Sequence, residues 1–288
     1  MLYNSFLTMK HSLSEKVLPK RVREILASEI DPAFSLRARF IAHELFTKKP
    51  KSVLDAGCGR GFYVNLASYA PFIKKIDGID INEKYLERAR ILEKRDKRVT
   101  IHQGSIYKLP FKDKSFDFIV ASEILEHLSD DRKALVELYR VLKKDGILVI
   151  TVPNTNFPFL WDPLNWILMR VFNIHINKNM WWLAGIWADH ERLYSEREIN
   201  TLLSSTFHVL SSQLIVHWCF PFSHFLLYGI GKNVVENFGG TSFDRFDFEK
   251  EKPVSKLLAR IFSLPSTILD TRFPRKSTMN IVISARKD

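Results

Sequence analysis

Three glycines at alternate positions, Gly57, Gly59 and Gly61, follow an acid, Asp55, that ends a short apolar run. Glycine has no Cβ, so a loop of this spacing turns tightly and lets a ligand lie against main chain. A helical pattern begins after Gly61 and adds unpaired N–H groups at the same place. A second acid, Asp80, closes the next apolar run, where a carboxylate can accept the hydroxyls of a ribose. The spacing G-x-G-x-G differs by one residue from the dinucleotide fingerprint G-x-G-x-x-G, which turns the reading away from a nicotinamide enzyme. Further along, His127 and His190 are imidazoles able to take a proton near neutral pH. Histidines 208, 217 and 224 are scattered and no paired-cysteine spacing occurs, so no metal is expected.

The elements that must position these groups follow from periodicity. Strand-like apolar runs cover 52–55, 75–80, 99–103, 116–122 and 146–152, with helical patterns between them, notably at 82–94 and 130–142. Alternation at this spacing predicts a parallel sheet with helices on both faces. Right-handed crossovers then place the strand C-terminal ends along one edge, where ligands bind in open α/β sheets. The glycine loop, Asp80, Ser105 and Ser122 all fall at that edge. Before the first strand, residues 12–46 read as helices broken near Asp31-Pro32, with Arg37, Phe40, Ile41, Glu44 and Leu45 on one face.

Residues 53–154 resemble a class I S-adenosylmethionine-dependent methyltransferase domain, of the type 11-like branch that acts on quinone precursors and other small molecules. The resemblance rests on five motifs in order: DAGCGRG at 55–61, GIDIN at 78–82, QGSIYKLPF at 103–111, FDFIVASEILEHL at 116–128 and LKKDGILVITVPN at 142–154. It implies a Rossmann-like, seven-stranded, mostly parallel sheet, with the closing strand at 279–285 antiparallel at the sheet edge. It also implies S-adenosyl-L-methionine as cofactor and N-terminal helices that partly cover the cofactor cleft. Asp55 would face the cationic amino-acid end of the cofactor, and Ala56, Gly57, Cys58, Gly59 and Gly61 would form the loop beneath it. Asp80 would hold the ribose and Ile81 would pack on the adenine, beside Gly104, Ser105 and Ile106. Ser105 stands where many relatives carry an acid, so the adenine amino group would meet a hydroxyl without charge. Ser122 and Glu123 would end the fourth strand beside the methyl group. His127, on the helix after Glu123, and His190 are the candidate catalytic bases, each with a structural role as its alternative. Trp161, Trp182, Arg192 and Tyr194 are the candidate substrate contacts, or simply packing residues.

Composition bounds the rest. Hydrophobic residues at 46% and charged residues at 26% are ordinary globular values. Two distant cysteines imply no disulfide framework, and no signal-type stretch opens the chain, so a cytoplasmic protein is expected. The net charge of +11 suits nucleic acid, an anionic membrane surface, a phosphate-bearing substrate or merely a lysine-rich surface. Nucleic acid is disfavoured: the Asn/Asp-Pro-Pro-aromatic segment of base-amine methylases is absent after the fourth strand, as is any recognition module. The expected division is an N-terminal helical segment (1–50), a cofactor-binding core (51–155), an aromatic-rich segment (156–195) that is either a cap over the substrate or an ordinary packed insertion, and a C-terminal part (196–288). The last carries an insertion at about 217–277. Residues 208–231 contain no Asp, Glu, Lys or Arg, but histidines, serines and a proline argue against a spanning helix. That stretch and the basic, apolar 256–276 fit either an interfacial anchor or a helical subdomain. The expected activity is methyl transfer to a small or lipid-like acceptor, at oxygen before carbon or nitrogen. Nothing in the sequence sets the oligomeric state.

Overall fold

The computed structural model describes residues 15–180, 183–223, 225–226, 245–246, 252–270, 272 and 276–288. Its frame is a seven-stranded sheet in the order β3-β2-β1-β4-β5-β7-β6. The five apolar runs become β1 (Ser52–Ala56), β2 (Lys75–Asp80), β3 (Val99–Gln103), β4 (Phe116–Ser122) and β5 (Leu142–Pro153), all parallel. Every residue of β1 is buried, as a central parallel strand covered on both faces requires.

The C-terminal pair corrects one expectation. β6 (His208–Ile215) and β7 (Asn280–Arg286) are both present, and β7 runs antiparallel to its two neighbours. It does not lie at the edge; it inserts between β5 and β6, and β6 takes the outside. The sequences explain the exchange. β7 holds the continuous apolar run Ile281-Val282-Ile283, buried throughout, whereas β6 carries His208, Ser211, Ser212 and Gln213 and is mostly half-buried. A polar strand tolerates an open edge, and an apolar one does not.

Helices cover both faces. α1 (Lys20–Ala27) and α2 (Pro32–Lys48) precede the sheet. The break between them is where Asp31 accepts a hydrogen bond from the Ala33 N–H and Pro32 occupies the first helical turn. α3 (Phe62–Ser68) follows the glycine loop. The single helical pattern at 82–94 forms two short helices, α4 (Glu83–Ala89) and α5 (Ile91–Arg95), meeting at Arg90. α6 (Asp131–Val141) buries Ala134, Leu135, Leu138 and Val141 under the opposite face, and α8 (Glu196–Ser204) starts with a reciprocal Ser195–Glu198 capping box. Between β5 and α8 the chain makes a closed excursion. Its two ends meet where Asn154 bridges Tyr194 and the Thr155 N–H donates to the Tyr194 carbonyl at 2.9 Å.

That excursion is the aromatic-rich segment expected as the cap, hereafter the cap. Within it, α7 (Pro163–Ile167) and a following π-turn (Leu168–Phe172) are organised by a buried polar pair. Asp162 accepts from the N–H groups of Asn165 and Ile186, and the Asn165 amide donates to Asp162 and to the Ala184 carbonyl. Gly185 passes so close, at φ 59, that a Cβ there would lie 1.9 Å from Asp162 Oδ2. α9 (Pro253–Leu269) lies against α1 and α2.

Candidate active site

β1 delivers the glycine loop to the C-terminal edge, and β2 delivers Asp80 beside it. The two are joined directly: the Gly59 N–H donates to Asp80 Oδ2 at 2.8 Å, and the Gly57 and Cys58 N–H groups donate to the Ile79 carbonyl at 2.8 and 3.0 Å. Asp80 also caps its own turn, accepting from the Asn82 N–H at 2.9 Å. Each carboxylate oxygen keeps a second lone pair, so these bonds leave acceptor capacity toward a diol. The glycines are required by backbone and space. Gly57 and Gly61 sit at φ 80 and 87, and a Cβ at Gly57 would fall 2.3 Å from Ile124 Cδ1. At Gly59, by contrast, nothing stands within 4 Å, so the loop opens outward there.

Asp55, at the end of β1 and 2% exposed, faces this loop from below. Neither of its carboxylate oxygens has a hydrogen-bond partner of normal geometry among the described residues. Burial, and next the charge of Asp80, push its pKa up to about 8. Such a group is costly unless a cation arrives. Ala56 and Cys58 are buried beside it, and burial raises the Cys58 thiol out of the reactive range. On the adenine side Ile81 is 73% exposed, Ile106 is buried and the Ser105 hydroxyl accepts from the Tyr107 N–H. The Gly104 N–H donates to the Asp80 carbonyl, which ties this strip to the acid.

At the end of β4 a polar network appears that sequence patterning did not foretell. Ser122 shares hydrogen bonds with Tyr63 at 3.1 Å and Thr151 at 2.8 Å. Glu123 takes the left-handed backbone conformation, φ 51, rare for a residue with a long side chain. Its carboxylate accepts from Arg37, Thr151 and Asn280 at 2.8–3.1 Å. Arg37 comes from α2 and Asn280 from β7, so the strained corner is over-determined from both ends of the chain. Arg37 and Glu123 were each visible as charges in apolar surroundings, but their meeting needed the fold.

His127 is not on a regular helix; it ends a 3-10 turn (Leu125–His127). The segment around His190 lies against that turn, with the N–H groups of Glu191 and Arg192 donating to the Glu126 carbonyl. The two imidazoles therefore meet, ring centroids 4.7 Å apart. His127 Nδ1 is 2.8 Å from the Asp189 carbonyl, which can only accept, so the Nδ1–H donates and Nε2 keeps its lone pair. Beneath them Glu126 is 0% exposed, and neither carboxylate oxygen has a partner among the described residues. Burial, then Glu123, raises its pKa well above the usual range. One ligand atom from each of Glu126, His127 and His190 lies within 4.8 Å of the others, a set able to hold a divalent cation. The expectation of no metal looked for local spacing, whereas these residues converge from the core and the cap.

The proposed substrate contacts turn elsewhere. Arg192 pairs with Asp131 at 2.9 Å, and the Tyr194 hydroxyl donates to the same carboxylate at 2.8 Å. Both fasten the end of the cap to α6. Trp161 is buried, in the same hydrophobic cluster as Phe157, Ile186 and residues of α2, α3 and the sheet. Trp182 lies outside the described residues.

Residues 54–150 match the family described as methyltransferase domain. Over that part of the chain the sequence is that of a methyltransferase domain. Over 117 residues it is 34% identical to a Mycolicibacterium smegmatis protein named as a probable S-adenosylmethionine-dependent methyltransferase, covering 40% of this chain and 44% of that protein. A small RNA 2'-O-methyltransferase of Rattus norvegicus is 28% identical over 157 residues, covering 49% and 40%. The chain thus spans less than half the length of the curated relatives it matches. The fold extends further than the sequence likeness. The [4+2]-cyclase SpnF superposes with a TM-score of 0.51 at 18% identity, over 82% of this chain and 75% of that one. The cofactor of this methyltransferase class is S-adenosylmethionine. The buried Asp55 carboxylate, the glycine-rich loop and Asp80 fit its cationic amino acid, its sulfonium and its ribose.

Proposed function

We propose that this protein transfers the S-adenosylmethionine methyl group to a hydroxyl of a small, amphipathic or lipid-like acceptor. The observation that carries the cofactor half is Asp55, a buried acid with no hydrogen-bond partner of normal geometry among the described residues, at the end of the strand that leads into a glycine loop tethered to Asp80. A cationic sulfonium nucleoside supplies the missing charge. The chain's own work is then alignment and exclusion of water, which account for much of the rate of an in-line displacement.

For the acceptor half, His127 and His190 form the basic pair. The Asp189 carbonyl orients His127 so that, in the neutral ring, Nε2 would accept the acceptor hydroxyl's proton while the methyl carbon exchanges its bond to sulfur for one to oxygen and the cofactor leaves as a neutral thioether. A divalent cation held by Glu126, His127 and His190 would serve the same end by lowering the hydroxyl's pKa. The amphipathic acceptor is favoured by the exposed apolar residues of the cap, the segment that supplies His190. A ribose 2'-hydroxyl of RNA is the second reading, supported by the +11 charge and by the named activity of the rat relative.

Methyl-labelled cofactor incubated with a lipid extract and with small RNA tests the reading, each with and without a chelator. Label in the organic phase is expected; label in RNA alone overturns the acceptor assignment. Calorimetry with S-adenosylmethionine tests the cofactor half separately, and no binding at millimolar cofactor overturns it.

A further inference from the structure

α9 is built inside out. It packs against α1 and α2, yet the residues it buries are small: Ser255, Ala259 and Ser266. Those it exposes are large and apolar: Val254, Leu257, Ile261, Leu264 and Ile268 are 41–59% exposed. They recur at intervals of three and four residues and so form one stripe along the helix. A helix that serves only its own core shows the reverse arrangement.

The stripe is not isolated. Asp270, after the end of α9, accepts from the N–H groups of His217 and Trp218, and the Phe220 and Phe262 rings meet edge to face at 6.0 Å. Phe222 and Leu226 in that attached segment are exposed, and the Phe222 N–H donates to Leu160 in the cap. The cap in turn exposes Phe159, Leu164, Ile167, Val171, Phe172, Ile174 and Met180. These three linked segments hold fourteen of the twenty exposed large hydrophobic residues described. Elsewhere such residues are scattered singly, as on ordinary surfaces.

Charge identifies what covers them. From 253 to 269 the helix carries Lys256 and Arg260 and no acid, Arg272 and Lys276 follow it, and the chain as a whole is +11. Among the described residues no helix is long and apolar enough to cross a membrane. We infer that α9, with the exposed apolar residues of the cap and of the 217–226 segment, docks on an anionic lipid bilayer surface, lying in the headgroup layer without spanning it. The three-and-four spacing would equally suit pairing with a second copy of α9. The spread of apolar residues onto the cap, and the cations along the helix, favour the bilayer. Docking of this kind deepens the lipid-like acceptor reading by presenting the cap to an amphipathic substrate at its source.

The test is co-sedimentation of the full chain with phosphatidylcholine vesicles and with vesicles containing added phosphatidylglycerol, read without any turnover. Wild type is expected to partition onto the anionic vesicles and to be released by salt. Leu257→Gln/Ile261→Gln/Leu264→Gln should lose about tenfold or more of that partitioning, while a control at an exposed apolar site on α6, Val136→Gln, keeps it. Lys256→Glu/Arg260→Glu should lose the preference for anionic lipid. Cofactor binding by the triple variant is measured alongside; retained affinity certifies the folded domain and separates this inference from the methyltransferase reading. Equal partitioning of wild type and triple variant overturns the inference. So does a wild-type dimer, dissolved by the triple change, that shows no vesicle binding.

Discussion

The glycine-loop edge of the sheet and the cap-plus-α9 region solve opposite problems. At the edge, polar groups are drawn inward and tied: Asp80 holds the loop, Glu123 is held by three donors, and Asp55 waits buried for a charge. α9 turns large apolar groups outward and small ones inward, and the cap, which buries Phe157, Trp161 and Ile186 around the polar pair Asp162 and Asn165, still exposes seven large apolar side chains. The first arrangement suits a ligand that is small, charged and fully enclosed. The second suits a partner that is large, apolar and outside. His127 and His190 meet where the two regions join, one contributed by each.

Breaking that junction should have the largest effect. Replacing His127 and His190 together by Ala should lower turnover by about 10²–10⁴-fold, the usual worth of a positioned base, with cofactor affinity nearly unchanged. Stopped-time methyl transfer and calorimetry on the same protein check both halves. A parallel loss of cofactor binding would place the pair in the cofactor region instead. Next is Gly57→Ala, which tests how rigid the edge is. The added Cβ meets Ile124 and the backbone is left-handed there, so a loss of about 2–4 kcal/mol in unfolding free energy is expected. Denaturant melts read it; a loss under 1 kcal/mol would mean that the loop yields.

The two regions also differed in how far the sequence disclosed them. In the core, strand boundaries followed apolar runs to within a few residues, because parallel strands buried on both faces leave a continuous hydrophobic trace. Asp55, the three glycines and Asp80 were legible because one strand–helix–strand unit sets the ends of consecutive parallel strands side by side. The Arg37–Glu123–Asn280 network was not, since its members meet only through tertiary folding. The position of β7 was legible in its burial pattern but was assigned by analogy, which put it at the edge. His127 and His190 were singled out separately; Glu126 beneath them was not, because a lone glutamate in a motif carries no mark of burial. For Arg192 and Tyr194 the sequence left substrate contact and packing open, and their bonds to Asp131 fasten one element to another.

Two smaller effects sharpen the cofactor side. Asp80→Ala removes the acceptor for the Gly59 and Asn82 N–H groups and, on the proposed reading, for the ribose. Cofactor affinity should fall by about 1–3 kcal/mol, and unchanged affinity in a folded variant would remove Asp80 from the pocket. Asp55 adds a pH signature. Burial and Asp80 hold its folded pKa near 8, against about 3.9 when unfolded. The protonated acid therefore lends stability that is full below about pH 4 and lost as pH rises through about 8. A cationic ligand needs the ionised form, so affinity should climb toward pH 8 by up to about tenfold per unit. Asp55→Asn should flatten that climb, and comparison of the two proteins cancels the ligand's own titration. Identical profiles would mean that the cation lies elsewhere.

The smallest expected effect distinguishes the regions most directly. In a helix packed the ordinary way, replacing a central apolar residue by Gln costs several kcal/mol, and enlarging a small residue on the opposite face costs nothing. α9 should invert both results. Ile261→Gln, on the outward stripe, should change unfolding free energy by no more than about 0.5 kcal/mol. Ala259→Leu, on the side against α1 and α2, should lose about 1–3 kcal/mol through overpacking. Denaturant melts without lipid decide it. If Ile261→Gln proves the costlier change, the stripe is already covered within the monomer and needs no outside partner. If the inversion holds, five large apolar residues are kept in water at no gain to the fold, and the reason for them lies beyond the chain itself.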